Sequence, residues 1–384
     1  MNGVIIIEGH VQGLSNTRAL GEQGIPVIVI DKNNCLARYS KYCKGYFKCP
    51  NYNSDDFVPF LLELAAKENL DDWLLLPSND HAVWSIAKNR DLLSSVFKIV
   101  TPELSVVENI YDKSKLLDVA VSCGVEIPRT AYLQTSQSKV DQLVFPVITK
   151  GRQGLSFYKA TGRKVFFANT EAELAAQLKQ IELVFPIENT FTQEFIPFDG
   201  KNKTLSFTAF CIKGEIKTFW IGEKLREHPI RFGTATYATS VECEPLLEIS
   251  KSLLGALNYS GVCEVEYLLD PRDNRYKLIE INARTWLWVG LAKACGVDYA
   301  TILYRFVNNL EVEYPKKYAV GIGWVNYITD TVFSFSAMAK GKLSIKTYLR
   351  SFKAKRVDAF FSFKDLKPSI MFFMLAVYIA IKRS

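Results

Sequence analysis

Two β-rich segments that both carry acids restrict this chain more than any other feature. Residues 263–267 read CEVEY and residues 276–285 read YKLIEINART, joined by the turn-like LDPRDNR. Side chains alternate across a strand, so Glu264 and Glu266 share one face, and Glu280, Asn282 and Arg284 share a face of the next. A turn centred on Asp273 sets Glu266 opposite Glu280 and Glu264 opposite Asn282. A slip of one residue would send one set to the other face. Like charges directly opposite each other destabilise a sheet. Either solvent bathes this face, or a cation lies between the strands. Mg²⁺ suits the second arrangement, because it takes one or two carboxylates together with phosphate oxygens.

Upstream, the chain alternates short apolar runs with amphipathic stretches. The runs at 4–7, 27–30, 73–76 and 97–100 have the continuous hydrophobicity of strands buried on both faces. Residues 15–24 and 55–70 lie between them with helical patterns. The first hundred residues are therefore an α/β layer with a parallel sheet. Its first turn contains Gly9 and Gly13, with Asp31 ending the second strand, but G-x-x-x-G lacks the third glycine of a dinucleotide fingerprint.

From Thr101 the texture changes. Residues 112–124 read as a helix ending at Gly124, and 145–154 as a strand entering a loop with two glycines. Thr170 opens a helix with acids in its first turn. Residues 189–200 are a strand and hinge, 203–225 a hairpin around KGE, and 244–259 a helix that leads into the acidic hairpin. Beyond Pro315 the pattern is irregular, basic and aromatic. It ends in twelve uninterrupted apolar residues, Ile370 to Ile381.

Length and composition narrow the function classes. A chain of 384 residues accommodates two or three domains. A formal charge of +7 without a dense Lys/Arg run suits anionic small molecules or a phospholipid surface and argues against nucleic acid. Eight scattered cysteines without a C-x-x-C pair, and three distant histidines, argue against zinc and for reduced thiols in the cytoplasm. The apolar tail is shorter than a membrane span. It is either a helix on the protein's own core or an interfacial anchor with basic flanks, at the inner face of the membrane.

The acidic hairpin, with its glycine, VEY, turn and EINAR, resembles the closing signature of the ATP-grasp superfamily. The resemblance covers most of residues 1–315 and carries further pieces in the expected order. It implies an N-terminal parallel α/β pre-grasp domain (1–100), then an ATP-grasp fold of two subdomains with antiparallel sheets (101–190 and 191–315), then a C-terminal extension (316–384). It implies ATP and two Mg²⁺, with Mn²⁺ as a substitute, the metal held by Glu266, Glu280 and Asn282. Lys113 in DKSK and Lys150 in PVITKG resemble the phosphate lysines. GRQGLS, with Gly151, Gly154 and Ser156, resembles the glycine-rich phosphate cover. QEFI resembles the adenine hinge, with Glu194, Phe195 and Ile196 at the base and Asp199 at the ribose.

Arg284 is then the residue facing the reacting carboxylate, and Glu264 stands behind the metal ligands. The stretch from Glu223 to Glu242 is similar to a bacterial carboxylate–amine ligase branch, the group of D-aspartate ligase. That similarity nominates Lys224, Arg226 and Arg231 near the γ-phosphate and substrate. The implied reaction joins a small-molecule or lipid- or nucleotide-linked carboxylate to an amine, an amino acid among the candidates, on a cell-wall or surface-polysaccharide precursor. A free amino-acid ligase and a nucleotide-binding scaffold without turnover are the rival expectations. A homodimer, common in the superfamily, and a peripheral membrane contact through 370–381 complete the expected partners.

Overall fold

The computed structural model describes residues 2–138, 140–197, 202–228, 233–341, 343–353 and 355–374. Three sheets organise them. The first is parallel, with strands β1 (Val4–Ile7), β2 (Val27–Asp31), β3 (Cys43–Lys48), β4 (Leu74–Pro77) and β5 (Lys98–Ile99) in the order β3-β2-β1-β4-β5. Val4 and Ile6 pack into one core and Ile5 and Ile7 into another. Burial on both faces is the reason these strands read as unbroken apolar runs. The sequence pattern missed β3, an edge strand of mixed exposure and mixed chemistry.

The second sheet is antiparallel: β6 (Thr130–Tyr132), β7 (Val147–Gly151), β8 (Phe166–Ala168) and β9 (Thr190–Glu194), ordered β6-β9-β7-β8. The helix Glu171–Glu182 packs Leu174, Leu178 and Ile181 into the core of this layer. Thr170 caps that helix by accepting from the Glu173 backbone N–H at 3.2 Å, and Glu173 reaches back to accept from the Asn169 N–H at 2.7 Å.

The third sheet carries β10 (Thr204–Ile212), β11 (Glu215–His228), β12 (Thr234–Ser240), β13 (Gly261–Asp270), β14 (Arg275–Asn282), β15 (Gly323–Val325) and β16 (Arg356–Asp358). Their order is β14-β13-β10-β11-β12-β15-β16. One face of this sheet shares a core with the first: Trp220, Trp286, Trp288 and Trp324, each at most 2 % exposed, belong to the same cluster as Val4 and Val29. Residues beyond Pro315, expected to be irregular, instead supply β15, β16 and the helices Tyr327–Ala339 and Ile345–Ser351. Their strands are three residues long, too short for an alternation signal; pairing of β15 with β12, and of β16 with β15, makes them strands.

Among the described residues no helix is long and apolar enough to cross a membrane. In the tail, Phe372 stacks on Phe360 with ring centroids 4.2 Å apart, whereas Ile370, Phe373 and Met374 face outward. The rest of the apolar tail, 375–381, lies outside the described residues.

Candidate active site

The antiparallel pair β13–β14 aligns Glu264 with Asn282 and Glu266 with Glu280, the register expected from a turn at Asp273. The register shifts just beyond Glu266, where Tyr267 pairs with Leu278, so a bulge ends the acidic stretch. Each facing carboxylate has a lysine. Lys113 Nζ lies 2.8 Å from Glu280 Oε2, and Lys224 Nζ lies 2.6 Å from Glu266 Oε2. Glu264, 2 % exposed, accepts from Ser206 Oγ at 2.8 Å and from Asn282 Nδ2 at 3.0 Å. The Asn282 amide is thereby oriented, its Oδ1 accepting from Arg284 Nη2 at 3.2 Å. Arg284 in turn forks onto Asp80 at 2.7 and 3.1 Å.

Lys113 is placed by its helix, Lys113–Ser122. Asp112 caps it, accepting from the Ser114 and Lys115 N–H groups, and is clamped by Arg152 Nη2 at 2.8 Å. Arg152 follows β7, so this pair also ties the second sheet to the acidic hairpin. Lys150 is the penultimate residue of the same strand. A cavity of about 820 Å³ opens between the sheets, bordered by Lys113, Lys150, Lys224, Glu266, Glu280 and Asn282.

The charges are strongly coupled. Burial works against the charge of Lys113, but Glu280 outweighs it and raises the ammonium pKa. The Lys113 ammonium reciprocally draws Glu280 down to about 2. Burial also opposes the charge of Lys224, and Glu266 with Glu264 raises its pKa nonetheless. Burial, then the Glu266 charge, pushes Glu264 up to about 7. Lys150 has no carboxylate in hydrogen-bond contact, and burial with the charge of Lys113 pulls it down to about 8. Three lysines thus face Glu266 and Glu280, an excess of basic groups that favours a polyanion.

The second half of the stretch expected as a glycine-rich loop, residues 154–156, opens a helix, Gly154–Thr161, because Phe157 anchors it with no exposed surface against Phe166 and Phe185. Gln153, the residue before it, makes no side-chain cap. The first N–H groups therefore point free of any cap where Gly154, Leu155 and Ser156 border the cavity, an arrangement that receives anions. Gly154 comes close to Lys113, whose Cε lies 3.9 Å from the place a Cβ would take. Gly151 serves packing instead, since a Cβ there would stand 2.3 Å from Cβ of Phe157.

Phe195 and Ile196 also border the cavity, with Ile148, Leu268 and Ile281, apolar side chains fit for a flat base. Glu194 lies there too, but its carboxylate accepts from the Val144 N–H at 2.9 Å and from Arg272 Nη1 at 2.7 Å. Its side chain is structural, which leaves only backbone for a ligand. Arg226 does not join the cluster. Its guanidinium forks onto Asp330 at 2.7 Å twice, donates to Ser351 Oγ at 3.0 Å, and lies over the Tyr237 ring. Register irregularities on both sides of Arg226 in β11 separate its course from that of Lys224. Asp199 and Arg231 lie outside the described residues.

The family model described as the carbamoyl-phosphate synthase L chain ATP binding domain matches residues 229–313, which include the acidic hairpin. The chain is 25 % identical to the D-aspartate ligase of Enterococcus faecium over 263 residues, 64 % of this chain and 62 % of that protein. The match thus spans about three fifths of that relative's length. The fold is similar to biotin carboxylase from Campylobacter jejuni, with TM-score 0.65, 15 % identity, and coverage of 84 % of this chain and 74 % of that one. It is also similar to the L-amino acid ligase from Bacillus licheniformis, with TM-score 0.61, 14 % identity, and coverage of 81 % and 75 %. The match over the acidic hairpin and the likeness of fold are both to ATP-grasp proteins.

Sequence inspection missed Ser206, Lys159 and Lys164, and offered Asp80 only as one of residues 77–81, a stretch expected to line a substrate pocket. Asp80 and Ser206 hold Arg284 and Glu264, and the two lysines border the cavity. Lys159 lies five residues past Gly154 on an eight-residue helix, so a helical reading of that stretch would have shown it sharing the helix. Asp80 carried a fainter signal. It begins a helix directly after a buried parallel strand, where such sheets bind ligands.

Among the described residues no three His, Cys, Asp or Glu side chains cluster to hold a metal by themselves. Two facing carboxylates and an amide oxygen still fit Mg²⁺, which completes its octahedron with phosphate oxygens and water.

Proposed function

We propose that this chain is an ADP-forming carboxylate–amine ligase that makes an amide through an acyl phosphate. The observation that supports this most is the register of β13 on β14, which stacks Glu266 on Glu280 and Glu264 on Asn282 at the rim of a cavity with three lysines. A carboxylate oxygen attacks the γ-phosphorus of ATP and ADP departs. The amine nitrogen then attacks the acyl carbon, phosphate departs, and the nitrogen gives up a proton. Phosphoryl transfer between anions depends chiefly on positioning and charge neutralisation.

Lys113 and Lys150 would hold phosphate oxygens, and the uncapped N–H groups at Gly154, Leu155 and Ser156 would close over them. Lys224 would leave Glu266 for the γ-phosphate. Arg284 would face the acyl phosphate. Phe195 and Ile196 would flank the adenine, with Asp199 near the ribose. Two Mg²⁺ at Glu266, Glu280 and Asn282 would neutralise the charge that develops between the β- and γ-phosphates, and Mn²⁺ would substitute. Arg231 keeps its proposed place near the γ-phosphate, and Arg226 is assigned no chemical role.

D-aspartate ligase and L-amino acid ligase are named for amino acids, which favours an amino acid as one reactant here. A lipid- or nucleotide-linked wall precursor as the other reactant would suit a membrane face, where exposed Ile370, Phe373 and Met374 follow Lys364 and Lys367 in the sequence. Sedimentation with anionic vesicles, with and without residues 368–384, tests that placement. The ligase itself is tested by ADP release with Mg·ATP and pooled acids and amines, including D- and L-amino acids, uronic acids and nucleotide-linked forms. The expected result needs one acid and one amine together and disappears in Glu280→Ala. A wild type that fails to bind Mg·ATP would overturn the proposal.

A further inference from the structure

The positive charge of the chain is concentrated at one end. Residues 331–384 hold eleven lysines and arginines against two acids, whereas the other 330 residues hold two more acids than bases. Both acids of this segment are engaged. Asp365, 3 % exposed, accepts from Arg18 Nε at 2.9 Å, from Ser40 Oγ at 2.7 Å and from the Lys41 N–H at 2.9 Å. Asp358 is half-buried and accepts from the Phe360 N–H at 2.8 Å. Seven of the described lysines and arginines, from Lys340 to Lys367, are exposed. None of the described residues of this segment borders the main cavity, so these cations stand apart from the nucleotide chemistry.

Apolar side chains are exposed among them. Val332 and Phe335 lie one turn apart on the helix Tyr327–Ala339, and Ile345 and Leu349 one turn apart on the helix Ile345–Ser351. All four are 59–65 % exposed. Tyr348 joins the two helices: its ring centroid lies 6.5 Å from that of Phe335, and its hydroxyl 3.3 Å from Thr331 Oγ1. Lys346 and Arg350 each follow an exposed aliphatic residue and so lie about 100° farther round the helix. The turn after β16 has the same make-up. Phe360 goes inward to stack on Phe372, while Phe361 and Phe363 are exposed, edge to face with centroids 4.8 Å apart, ahead of Lys364 and Lys367. Exposed apolar side chains gathered among charges of one sign mark an interaction surface.

The sign of the charge and the kind of apolar group decide the partner. Nucleic acid would satisfy the cations, but Val332, Ile345 and Leu349 offer no ring to stack on a base. A second copy would set like charges face to face across a two-fold axis. An anionic phospholipid surface satisfies both features: headgroups pair with lysine and arginine, and the apolar side chains enter the acyl boundary. The apolar run from Ile370 to Ile381, followed by Lys382 and Arg383, pairs the same two chemistries in sequence.

We propose that the helices Tyr327–Ala339 and Ile345–Ser351, with the turn at 361–363, form a docking face for anionic phospholipid bilayers. This rests on the membrane placement proposed above, which it extends from the apolar tail to the folded helices. It does not depend on the ligase chemistry.

The test is flotation of the full chain with phosphatidylcholine vesicles and with vesicles that also carry phosphatidylglycerol. Binding should need the anionic lipid and weaken as salt rises. Lys346→Glu with Arg350→Glu should weaken it about 30-fold or more, since each basic residue near the surface contributes about fivefold. Ile345→Ser with Leu349→Ser should weaken it about tenfold or more through lost apolar burial. All four side chains are exposed. The melting temperature and the affinity for a non-hydrolysable ATP analogue should therefore stay close to wild type, which separates a lost contact from a lost fold. A chain without residues 375–384 should still need anionic lipid and still respond to both helix variants. If that chain loses all binding while both helix variants bind like wild type, the tail alone holds the membrane and this face is overturned. Equal binding to neutral vesicles also overturns it. Wild type that ignores both kinds of vesicle overturns the docking face and the membrane placement together, and leaves the ligase assignment to its own test of ADP release.

Discussion

At the scale of single residues, Lys150 and Lys113 show how one cavity gives two lysines different work. Lys113 has Glu280 and stays protonated well into alkaline pH. Lys150 is buried beside a second cation, and its pKa falls to about 8. Only the protonated amine attracts phosphate, so the affinity for Mg·ATP should fall as pH rises through about 8, and phosphate binding should lift that pKa again. Titration with an ATP analogue between pH 6.5 and 9.5 checks this, and Lys150→Arg, whose charge does not titrate, should flatten the profile. A flat profile in wild type would remove Lys150 from the phosphate site. Glu280→Gln keeps the shape of the side chain and removes its charge. Turnover in this variant should drop on the order of 10²-fold or more, by analogy with the loss of one preorganised electrostatic contact.

At the scale of elements, two carboxylates fasten helices to sheets. Asp112 caps the helix Lys113–Ser122 and receives Arg152 from the end of β7. Burial alone would raise its pKa, but the hydrogen bonds from Arg152 and Ser114 hold it below the usual value. A depressed carboxylate stabilises the fold above its unfolded pKa, and that stability is lost as pH falls through the folded value. Asp112→Ala should therefore lower stability at pH 7 by about 1–2 kcal/mol, the range of a lost helix cap, and the gap to wild type should narrow toward pH 2. Urea denaturation at both pH values measures it. Asp330 is fully buried and holds Arg226 and Thr236 Oγ1. Asp330→Ala leaves a nearly buried guanidinium unpaired and should cost about 3–5 kcal/mol. If Arg226 instead acted in chemistry, the same variant would lose turnover while its denaturation midpoint held.

At the scale of the molecule, the first and third sheets share one core, and the chain beyond Pro315 closes it. Trp324 is 1 % exposed in that core, Arg18 reaches Asp365 at 2.9 Å, and Thr218 Oγ1 donates to the Pro315 carbonyl at 2.6 Å. A chain ending at 315 would bare this tryptophan-lined surface and lose two strands of the seven-stranded sheet. It should fail to unfold cooperatively in a thermal melt, whereas Trp324→Ala in the full chain should stay cooperative and lose about 3–5 kcal/mol. A stable, cooperative 1–315 fragment would show that the extension decorates a complete fold.

The sequence by itself determined the parallel layer, because strands buried on both faces must be apolar throughout. It also determined the pairing of Glu266 with Glu280 and Glu264 with Asn282, because a period of two and a short turn leave little freedom between neighbouring strands. Lys113 and Lys150 were nominated by family resemblance alone, and packing of the sheets brings both to the cavity. Side-chain partnerships over long separations were not legible. Arg226 finds Asp330, Arg284 finds Asp80 and Glu194 finds Arg272 only after the sheets pack. The helix at Gly154–Thr161 needed Phe157 to find Phe166 and Phe185. Local periodicity records which face of an element is buried, and tertiary packing alone chooses which charged group meets which.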